Sequence, residues 1–366
     1  MPPPAAGRTG IIPGCEAATK ALTVVPRRPG SARLDEIDEP GEHAGSILVE
    51  SVAVGICGTD KEIVEGAYGW APPGRDRLVL GHESLGRVLD PGPTSGLAAG
   101  DLVVGIVRRP DPVPCPNCDT GEFDMCTNGR YTERGIKERD GYLSERWRIE
   151  PEYAVRVDPS LGILGVLMEP TSVVAKAWEH VVRVATRAFW EPRTVLVIGA
   201  GPIGLLAAMI GVQLGFDTHV LDRVTGGVKP RLVRQLGATY HSASVTDTGV
   251  RADIVIECTG VSQLVLDAIG AAAPGGVVCL TGVGVDQQGV TVPDGLAKDM
   301  VLNSLVVLGS VNANRRHYRR AANRLAAADR SFLEALITRR VPLDRWQNAL
   351  VREPDDVKVV IQMAPA

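Results

Sequence analysis

The sequence predicts an α/β fold that joins an irregular all-β unit to a doubly wound parallel sheet. Residues from about 16 to 160 contain short apolar runs broken by Gly, Pro and Asp, which is typical of short strands joined by turns. From residue 194 onward, apolar runs of strand length alternate with segments of helical spacing, as in a parallel sheet with helices on both faces. The first of these runs leads into a glycine-rich turn, the usual start of a dinucleotide-binding unit.

Length and composition agree with two globular domains. The chain has 366 residues, of which 45% are hydrophobic and 22% charged, and a net charge of -4. Its 39 basic residues are scattered, so we expect no nucleic-acid partner. We find no continuous apolar run of the ~18–20 residues that span a bilayer, and therefore expect no membrane association. Residues 1–15 are predicted to be a flexible extension rather than a secretory signal.

The seven cysteines favour metal ligation or free thiols over a disulfide framework. Their number is odd, and Cys115, Cys118 and Cys126 lie close together in sequence. Without a secretory signal, this pattern indicates a cytoplasmic protein.

The elements follow in order along the chain. Strands are predicted within the first unit at 47–54, 78–80, 86–89 and 102–107. Helical spacing at 161–168 and 173–184 predicts two helices, with Pro170 as a break between them. The parallel sheet is predicted from strands at 194–198, 218–221, 254–258, 277–281 and 305–310, with helices ending at Leu214 and covering 228–236 and 264–273. Helices at 318–325 and 332–337 and a strand at 358–363 complete the chain.

The glycine-rich turn predicts a dinucleotide site. Gly199 permits the tight turn, Gly201 lets the backbone approach a pyrophosphate, and Gly204 allows close packing of helix and strand. Pro202 and Ile203 open the helix whose free N–H groups face the phosphates.

The end of the second strand of this unit bears on the choice between NAD and NADP. Asp222 can bind the ribose 2′-hydroxyl, which favours NAD because a carboxylate repels a 2′-phosphate. Arg223 stacks on the adenine, pairs with a phosphate and so allows some use of NADP, or is simply a solvated side chain.

Cys57, His82 and Glu169 together predict a catalytic zinc site, since three such ligands leave a position open for substrate or water. Each has an ordinary alternative, respectively a small buried residue, a core histidine and a helix-capping acid. Cys115, Cys118 and Cys126 form a second cluster that lacks a fourth sulfur, so it predicts at most an incomplete structural zinc site.

These motifs resemble the zinc-containing medium-chain dehydrogenase/reductase superfamily. The resemblance runs from about residue 20 to 363 and includes Gly81-His82-Glu83 and Gly100-Asp101-Leu102-Val103. It implies a GroES-like β-barrel catalytic domain, formed by residues 16–185 and 312–366. A Rossmann domain at 186–311 would interrupt it.

Other segments resemble the glucose (aldose) dehydrogenases within this superfamily. They are 58–63, 131–136, 140–142 and 309–312, together with Glu169-Pro170. The resemblance places Thr59 beside the reacting hydroxyl, Glu133 on sugar hydroxyls and Asn312 between cofactor and sugar. Glu83 would be able to approach the zinc, and Lys358 would lie near the dinucleotide. We assign four more residues to the cofactor site: Thr259, Val283, Ser310 and Val311.

The sequence departs from the family pattern at the cysteine cluster. The family's four-cysteine pattern would place its first cysteine at Pro112, so a second zinc requires Asp111 as a substitute. Two further carboxylates also have alternatives. Glu133 has the alternative of an ion pair with Arg134 or Lys137. Glu62 is either a proton relay from Thr59 or a solvated surface acid.

The predicted function is oxidation of an aldose at C1 to the aldonolactone, with hydride transfer to NAD(P). The alternatives are a polyol, L-threonine or other secondary-alcohol dehydrogenase of the same fold, and a non-catalytic metabolite-binding protein. A zinc-free quinone reductase would not need Cys57, His82 and Glu169 together. We expect a small-molecule sugar as substrate and a homo-oligomeric assembly.

Overall fold

The computed structural model describes residues 18–284 and 289–366, so the predicted extension at 1–15 lies outside the described residues. The strands are β1 (Ala18–Val24), β2 (Arg33–Asp38), β3 (Ile47–Ile56), β4 (Leu78–Val79), β5 (Glu83–Asp90), β6 (Leu102–Gly105), β7 (Arg108–Arg109), β8 (Thr132–Arg134), β9 (Glu138–Arg139), β10 (Arg146–Ile149), β11 (Ala154–Arg156), β12 (Thr194–Ile198), β13 (Asp217–Leu221), β14 (Thr239–His241), β15 (Ala252–Glu257), β16 (Ala272–Leu280), β17 (Val306–Gly309), β18 (Ile337–Pro342) and β19 (Lys358–Gln362). The α-helices are α1 (Gly58–Val64), α2 (Pro116–Asp119), α3 (Met168–Ala185), α4 (Pro202–Gln213), α5 (Val228–Gln235), α6 (Ser262–Ala271), α7 (Leu296–Leu302), α8 (Arg315–Ala326), α9 (Arg330–Leu336) and α10 (Trp346–Leu350).

A seven-stranded sheet forms the centre of the β-rich unit. Its strand order is β11-β6-β5-β3-β19-β18, and β10 also pairs with β3. The last strand of the chain, β19, pairs antiparallel with β3, so the C-terminal segment returns to the unit in which the chain begins. Two three-stranded sheets, β2-β1-β4 and β7-β8-β9, lie beside it.

The second unit is a six-stranded parallel sheet of order β14-β13-β12-β15-β16-β17. The order reverses direction at β12, as in doubly wound folds, so a ligand site is expected beyond the carboxyl ends of the central strands. β12 is apolar and almost fully buried because it has neighbours on both sides and helices on both faces. The predicted parallel sheet is therefore present.

The two units share one hydrophobic core. Its largest cluster runs from Val52 and Leu85 in the seven-stranded sheet, through Val174 of α3, to Val195 of the parallel sheet. The segment 159–185 contains an 18-residue stretch with a mean hydropathy of 1.2, which is long enough to span a membrane. Since 78% of that stretch is buried inside the protein, its environment is that of a core helix.

The structure corrects one predicted boundary. Pro170 does not separate two helices, because α3 begins at Met168 and Pro170 lies in its first turn. A proline is tolerated there because the first turn leaves backbone N–H groups without intrahelical partners. The break lies upstream, where 159–167 is a 3₁₀ segment with Gly162 in a non-helical conformation.

Candidate active site

Three strand ends meet at one edge of the seven-stranded sheet. β3 ends at Ile56, β5 begins at Glu83 and β19 begins at Lys358, and these strands are neighbours. The register pairs Gly55 with Glu83 and Ile56 with Val359. Cys57 and His82 directly adjoin these ends, so non-local strand pairing brings the separate sequence motifs together.

The potential ligand atoms of Cys57, His82 and Glu83 lie within 4.8 Å of one another. His82 and Glu83 are buried, at 5% and 3% exposure. A thiolate, an imidazole and a carboxylate form a donor set that zinc accepts. The residues present therefore fit a zinc ion.

Asp60 supports this group and was not identified from the sequence. It is fully buried, its Oδ1 lies 3.4 Å from Nδ1 of His82, and its Oδ2 accepts a hydrogen bond from the Cys57 amide at 2.9 Å. A carboxylate behind a ligating histidine fixes the orientation of the ring. The available signal was local, since Asp60 is the third residue after Cys57 and forms a capping box with it at the start of α1.

Glu169 lies outside the three-residue group. It is buried at the start of α3 in the same charged environment. Burial raises the pKa of its carboxyl, His82 lowers it and the charge of Glu83 raises it, and the net pKa is about 7. Among the described residues, Glu83 completes the three-residue group, and Glu169 remains a predicted ligand close to it.

Lys358 contacts Glu83, whereas the sequence resemblance placed it near the dinucleotide. Its Nζ lies 2.7 and 2.6 Å from the two carboxylate oxygens of Glu83 and donates to the carbonyl of Ile56. Burial lowers the pKa of Lys358, but the charges of Glu83 and Cys57 outweigh burial and the pKa is raised. Lys358 is therefore a charged partner of the metal-binding group.

The sulfurs of Cys115, Cys118 and Cys126 lie within 4.8 Å of one another, as the sequence cluster predicts. Asp111 is outside this group. Its carboxylate accepts hydrogen bonds from the Val113 amide at 2.8 Å and from Nε of Arg130 at 3.3 Å. Among the described residues the cluster thus has three thiols and no fourth donor, which does not fit a closed tetrahedral zinc site.

Apart from Lys358, the residues predicted to bind the dinucleotide follow strands of the parallel sheet, at their carboxyl ends. The Gly199–Gly204 turn follows β12, Asp222 follows β13, Thr259 follows β15, Val283 follows β16, and Ser310, Val311 and Asn312 follow β17.

Local packing in this region fits a cofactor. A Cβ on Gly204 would lie 1.7 Å from the carbonyl oxygen of Gly199, so only glycine permits this turn. Gly201 faces open space, where a pyrophosphate could approach. The hydroxyl of Ser310 is buried without a hydrogen-bond partner among the described residues, as expected for a group that binds a ligand.

Asp222 is already engaged in the structure. Its Oδ2 accepts hydrogen bonds from the Ala200 amide and from Nζ of Lys229, both at 2.8 Å, and its Oδ1 accepts from the Val224 amide at 3.2 Å. Lys229, in the first turn of α5, was not predicted. Arg223 is exposed beside this pair. A buried lysine thus neutralises the carboxylate at the adenosine end of the predicted cofactor site.

Glu133 pairs with Arg108, so both partners proposed for its alternative, Arg134 and Lys137, are wrong. Nη2 of Arg108 lies 2.9 Å from Oε1 of Glu133, and Nδ2 of Asn312 donates to the same oxygen at 2.7 Å. β7 and β8 pair Arg108 directly opposite Glu133. Because this pairing is non-local, nothing in the sequence near Glu133 indicated it.

Thr59 lies in the first turn of α1, and its amide donates to Sγ of Cys57 at 3.3 Å. Its half-buried hydroxyl is therefore held close to the metal-binding group.

The parallel sheet is of the dinucleotide-binding type, and the β-rich unit brings together a thiolate, an imidazole and carboxylates. This combination defines a zinc-dependent medium-chain dehydrogenase. Comparison with known families agrees. The family described as "Alcohol dehydrogenase GroES-like domain" matches residues 43–159, and "Glucose dehydrogenase C-terminus" matches residues 162–363. The predicted combination of a GroES-like and a Rossmann-type unit is confirmed.

The chain belongs to the glucose dehydrogenase family of these enzymes. It is 38% identical over 356 residues to a glucose 1-dehydrogenase of Methanocella arvoryzae, covering 94% of this chain and 99% of the relative. With a glucose 1-dehydrogenase of Thermoproteus tenax the identity is 42% over 350 residues, with the same two coverages.

A solved structure of Haloferax mediterranei glucose dehydrogenase in complex with NADP, Zn and gluconolactone has a similar fold. Its TM-score is 0.87 at 32% identity, and the match covers 95% of this chain and 100% of that chain.

Proposed function

We propose that this enzyme oxidises an aldopyranose, with glucose or galactose as first candidates, at C1 to the aldonolactone and transfers the hydride to NAD(P). The observation that carries the proposal is the contact between Glu133 and Asn312. Glu133 lies on β8 of the three-stranded sheet β7-β8-β9, here called the ribbon, and Asn312 follows β17 of the cofactor-binding sheet. Their contact creates a polar site for hydroxyl groups between the two units.

Glu133 is suited to bind a sugar hydroxyl. Its Oε1 is occupied by Arg108 and Asn312, whereas its Oε2 has no hydrogen-bond partner among the described residues. A fixed carboxylate oxygen with a neighbouring cation accepts a strong hydrogen bond from a hydroxyl. The family relationship to glucose dehydrogenases supports the same substrate class.

Cys57 and His82, with Glu83 or Glu169, are the residues that would hold zinc, which supplies Lewis-acid polarisation of the reacting hydroxyl. Asp60 fixes the ring of His82, and Lys358 balances the charge of Glu83. Thr59, whose amide is hydrogen-bonded to Sγ of Cys57, would take up the proton of the substrate hydroxyl, and Glu62 or the cofactor ribose would be its route to solvent. A nicotinamide cofactor held at the Gly199–Gly204 turn would supply the acceptor for the hydride from C1.

A substrate panel tests the function. NAD and NADP are crossed with glucose, galactose, xylose, sorbitol and L-threonine, and cofactor reduction is followed spectrophotometrically. We expect an aldose to give the highest kcat/KM, and deuterium at C1 to appear in the reduced cofactor. Preference for sorbitol or threonine would identify the corresponding alternative dehydrogenase. Cofactor binding without turnover of any substrate would indicate a metabolite-binding protein.

We further propose that the enzyme prefers NAD but uses NADP. The carboxylate of Asp222 favours free ribose hydroxyls, while Lys229 and exposed Arg223 offer positive charge to a 2′-phosphate. Lys229→Met should therefore raise KM for NADP by more than KM for NAD, and Asp222→Asn should shift the preference toward NADP. A wild-type preference for NADP above tenfold would contradict this assignment.

We also propose that the protein is located in the cytoplasm and forms a homo-oligomer. The six cysteines among the described residues are free thiols, which suits a reducing compartment. Light scattering of the purified protein would measure its oligomeric state.

A further inference from the structure

A closed ring of polar contacts surrounds the segment that follows β17. Asn312 donates to Glu133, which is paired with Arg108. Nη1 of Arg108 donates to the backbone carbonyl of Asp124 at 3.0 Å. Nζ of Lys176 forms an ion pair with Oδ2 of Asp124 at 2.7 Å and donates to the carbonyl of Val311 at 2.9 Å. The ring thus returns to the residue that precedes Asn312.

Lys176 and Asp124 are the most enclosed members of this ring. Their side chains are 1% and 0% exposed, so neither group can contact bulk solvent in the folded protein. Lys176 lies on α3, and Asp124 lies in the short 3₁₀ turn after the cysteine cluster. Asp124 also accepts a hydrogen bond from Nδ2 of Asn314 at 2.7 Å. The pair therefore holds residues 311–314 at two points.

Asn312 needs such support because its backbone is in a strained conformation. Its φ is +62°, in the left-handed region that residues other than glycine rarely occupy, although asparagine tolerates it best. A conformation of this kind persists only when the surrounding structure fixes it. The side chain of Val311 is exposed, so the hydrogen bond from Lys176 to its carbonyl holds the residue through its backbone, directly before Asn312.

We infer that Lys176 and Asp124 are positioning residues for the reaction: they hold residues 311–314 so that the amide of Asn312 stays against Glu133. Both side chains are buried in the core, and the pair acts through Val311 and Asn314. The kinetic consequence rests on the proposed function, whereas the constraint on the segment does not.

The test uses the double substitution Lys176→Met with Asp124→Asn. Lys176→Met alone would leave a buried unpaired carboxylate and would be strongly destabilising. The double variant removes both charges together, and the new amide oxygen at 124 can still accept from Asn314. Arg339→Met with Asp356→Asn is the control, because it removes another ion pair of 2.7 Å, between Arg339 of β18 and Asp356 just before β19, outside the proposed site.

Hydrogen exchange of the free enzyme measures the constraint without any substrate. We expect amides of residues 311–314 to exchange at least severalfold faster in the Lys176/Asp124 variant, with no such change in the Arg339/Asp356 control. Unchanged exchange in a folded variant would overturn the inference. If the wild type oxidises no aldose but exchange increases, the proposed function fails while the constraint on the segment stands.

Kinetics then measure its importance for the reaction. We expect kcat on the best aldose to fall about 10- to 100-fold, the cost of a small misplacement of reacting groups, with little change in cofactor dissociation constant. The isotope effect with C1-deuterated aldose should rise. When Asn312→Ala is added to the Lys176/Asp124 variant, kcat should equal that of Asn312→Ala alone, because all three substitutions act through the amide of Asn312. A full kcat despite increased exchange, or strictly additive losses, would refute the positioning role.

Discussion

Glu133 uses its two carboxylate oxygens differently, and this gives a prediction at the scale of single residues. In Glu133→Gln the amide oxygen can still accept from Arg108 and Asn312, but the free acceptor is replaced by an NH₂ group. We expect kcat/KM for the aldose to fall by about one to two powers of ten, corresponding to ~1.5–3 kcal/mol for a charge-assisted hydrogen bond. Cofactor affinity should remain nearly unchanged.

Exposed Glu138 on the same ribbon provides the control, since Glu138→Gln changes an equal charge away from Asn312. Equal aldose kinetics in the wild type and the Glu133 variant would remove the main support for sugar binding by Glu133.

Gly55 gives a second prediction, because it makes room for Glu83. A Cβ at position 55 would lie 2.0 Å from Oε2 of Glu83, so Gly55→Ala must displace this buried carboxylate from Lys358 and from the metal-binding group. We expect kcat to fall at least about tenfold, since small shifts of reacting groups are costly. Gly270→Ala on α6, where the added Cβ meets nothing within 4 Å, should retain full activity. Steady-state kinetics of both variants test this prediction. Full activity in Gly55→Ala would contradict the role of the Glu83 carboxylate in the metal-binding group.

The residues predicted from the sequence were mostly those with a local signal. Cys57, His82 and the glycine turn stand in short motifs whose spacing follows from ligand and turn geometry. The contact of Lys358 with Glu83 and the role of Arg108 were missed, because only strand pairing brings Lys358 to Glu83 and Arg108 to Glu133. A buried ion pair between distant segments leaves no periodicity in the sequence.

At the scale of elements, the strands of the parallel sheet were predicted better than the elements of the β-rich unit. The central strands of the parallel sheet are continuous apolar runs because they are buried on both faces, and they were predicted within a few residues. β2 was missed because it is an exposed edge strand of mostly charged residues. α1 was missed because seven residues are too few to show helical periodicity.

Glu150 anchors the ribbon that carries Glu133, and it predicts acid sensitivity. Its carboxylate pairs with Arg109 and Arg139 and lies 3.8 Å from Arg134. Burial raises the pKa of Glu150, but Arg109 and the other two cations outweigh it and lower the pKa from 4.5 to about 2. This depressed pKa contributes about 3 kcal/mol of stability, which is fully present above pH 4.5 and is lost as the pH falls toward 2.

Urea unfolding across this pH range measures the contribution. The free energy of unfolding of Glu150→Gln should lie below that of the wild type at pH 7, and the gap should narrow between pH 4.5 and 2. Exposed Glu152→Gln should show no comparable gap at any pH. A gap for Glu150→Gln that stays constant with pH would mean that its charge is not the stabilising feature.

At the scale of the whole molecule, the metal-binding group and the dinucleotide-binding turn belong to different units, which are joined by one hydrophobic core. Substitution at the metal-binding group should therefore leave the parallel sheet intact. We expect Cys57→Ala or His82→Ala to abolish turnover while the dissociation constant for the dinucleotide changes little, because the Gly199–Gly204 turn lies in the other unit.

Metal analysis completes this prediction. We expect one zinc per chain in the wild type and none in Cys57→Ala, since the Cys115 cluster offers only three thiols and Asp111 is hydrogen-bonded elsewhere. Cys115→Ala is the matched control: it removes one thiol of the other cluster and should retain one zinc and its turnover. If the wild type holds two zinc ions per chain and Cys115→Ala holds one, a further group must complete the second site. Full activity in a metal-free enzyme would refute the catalytic role of zinc.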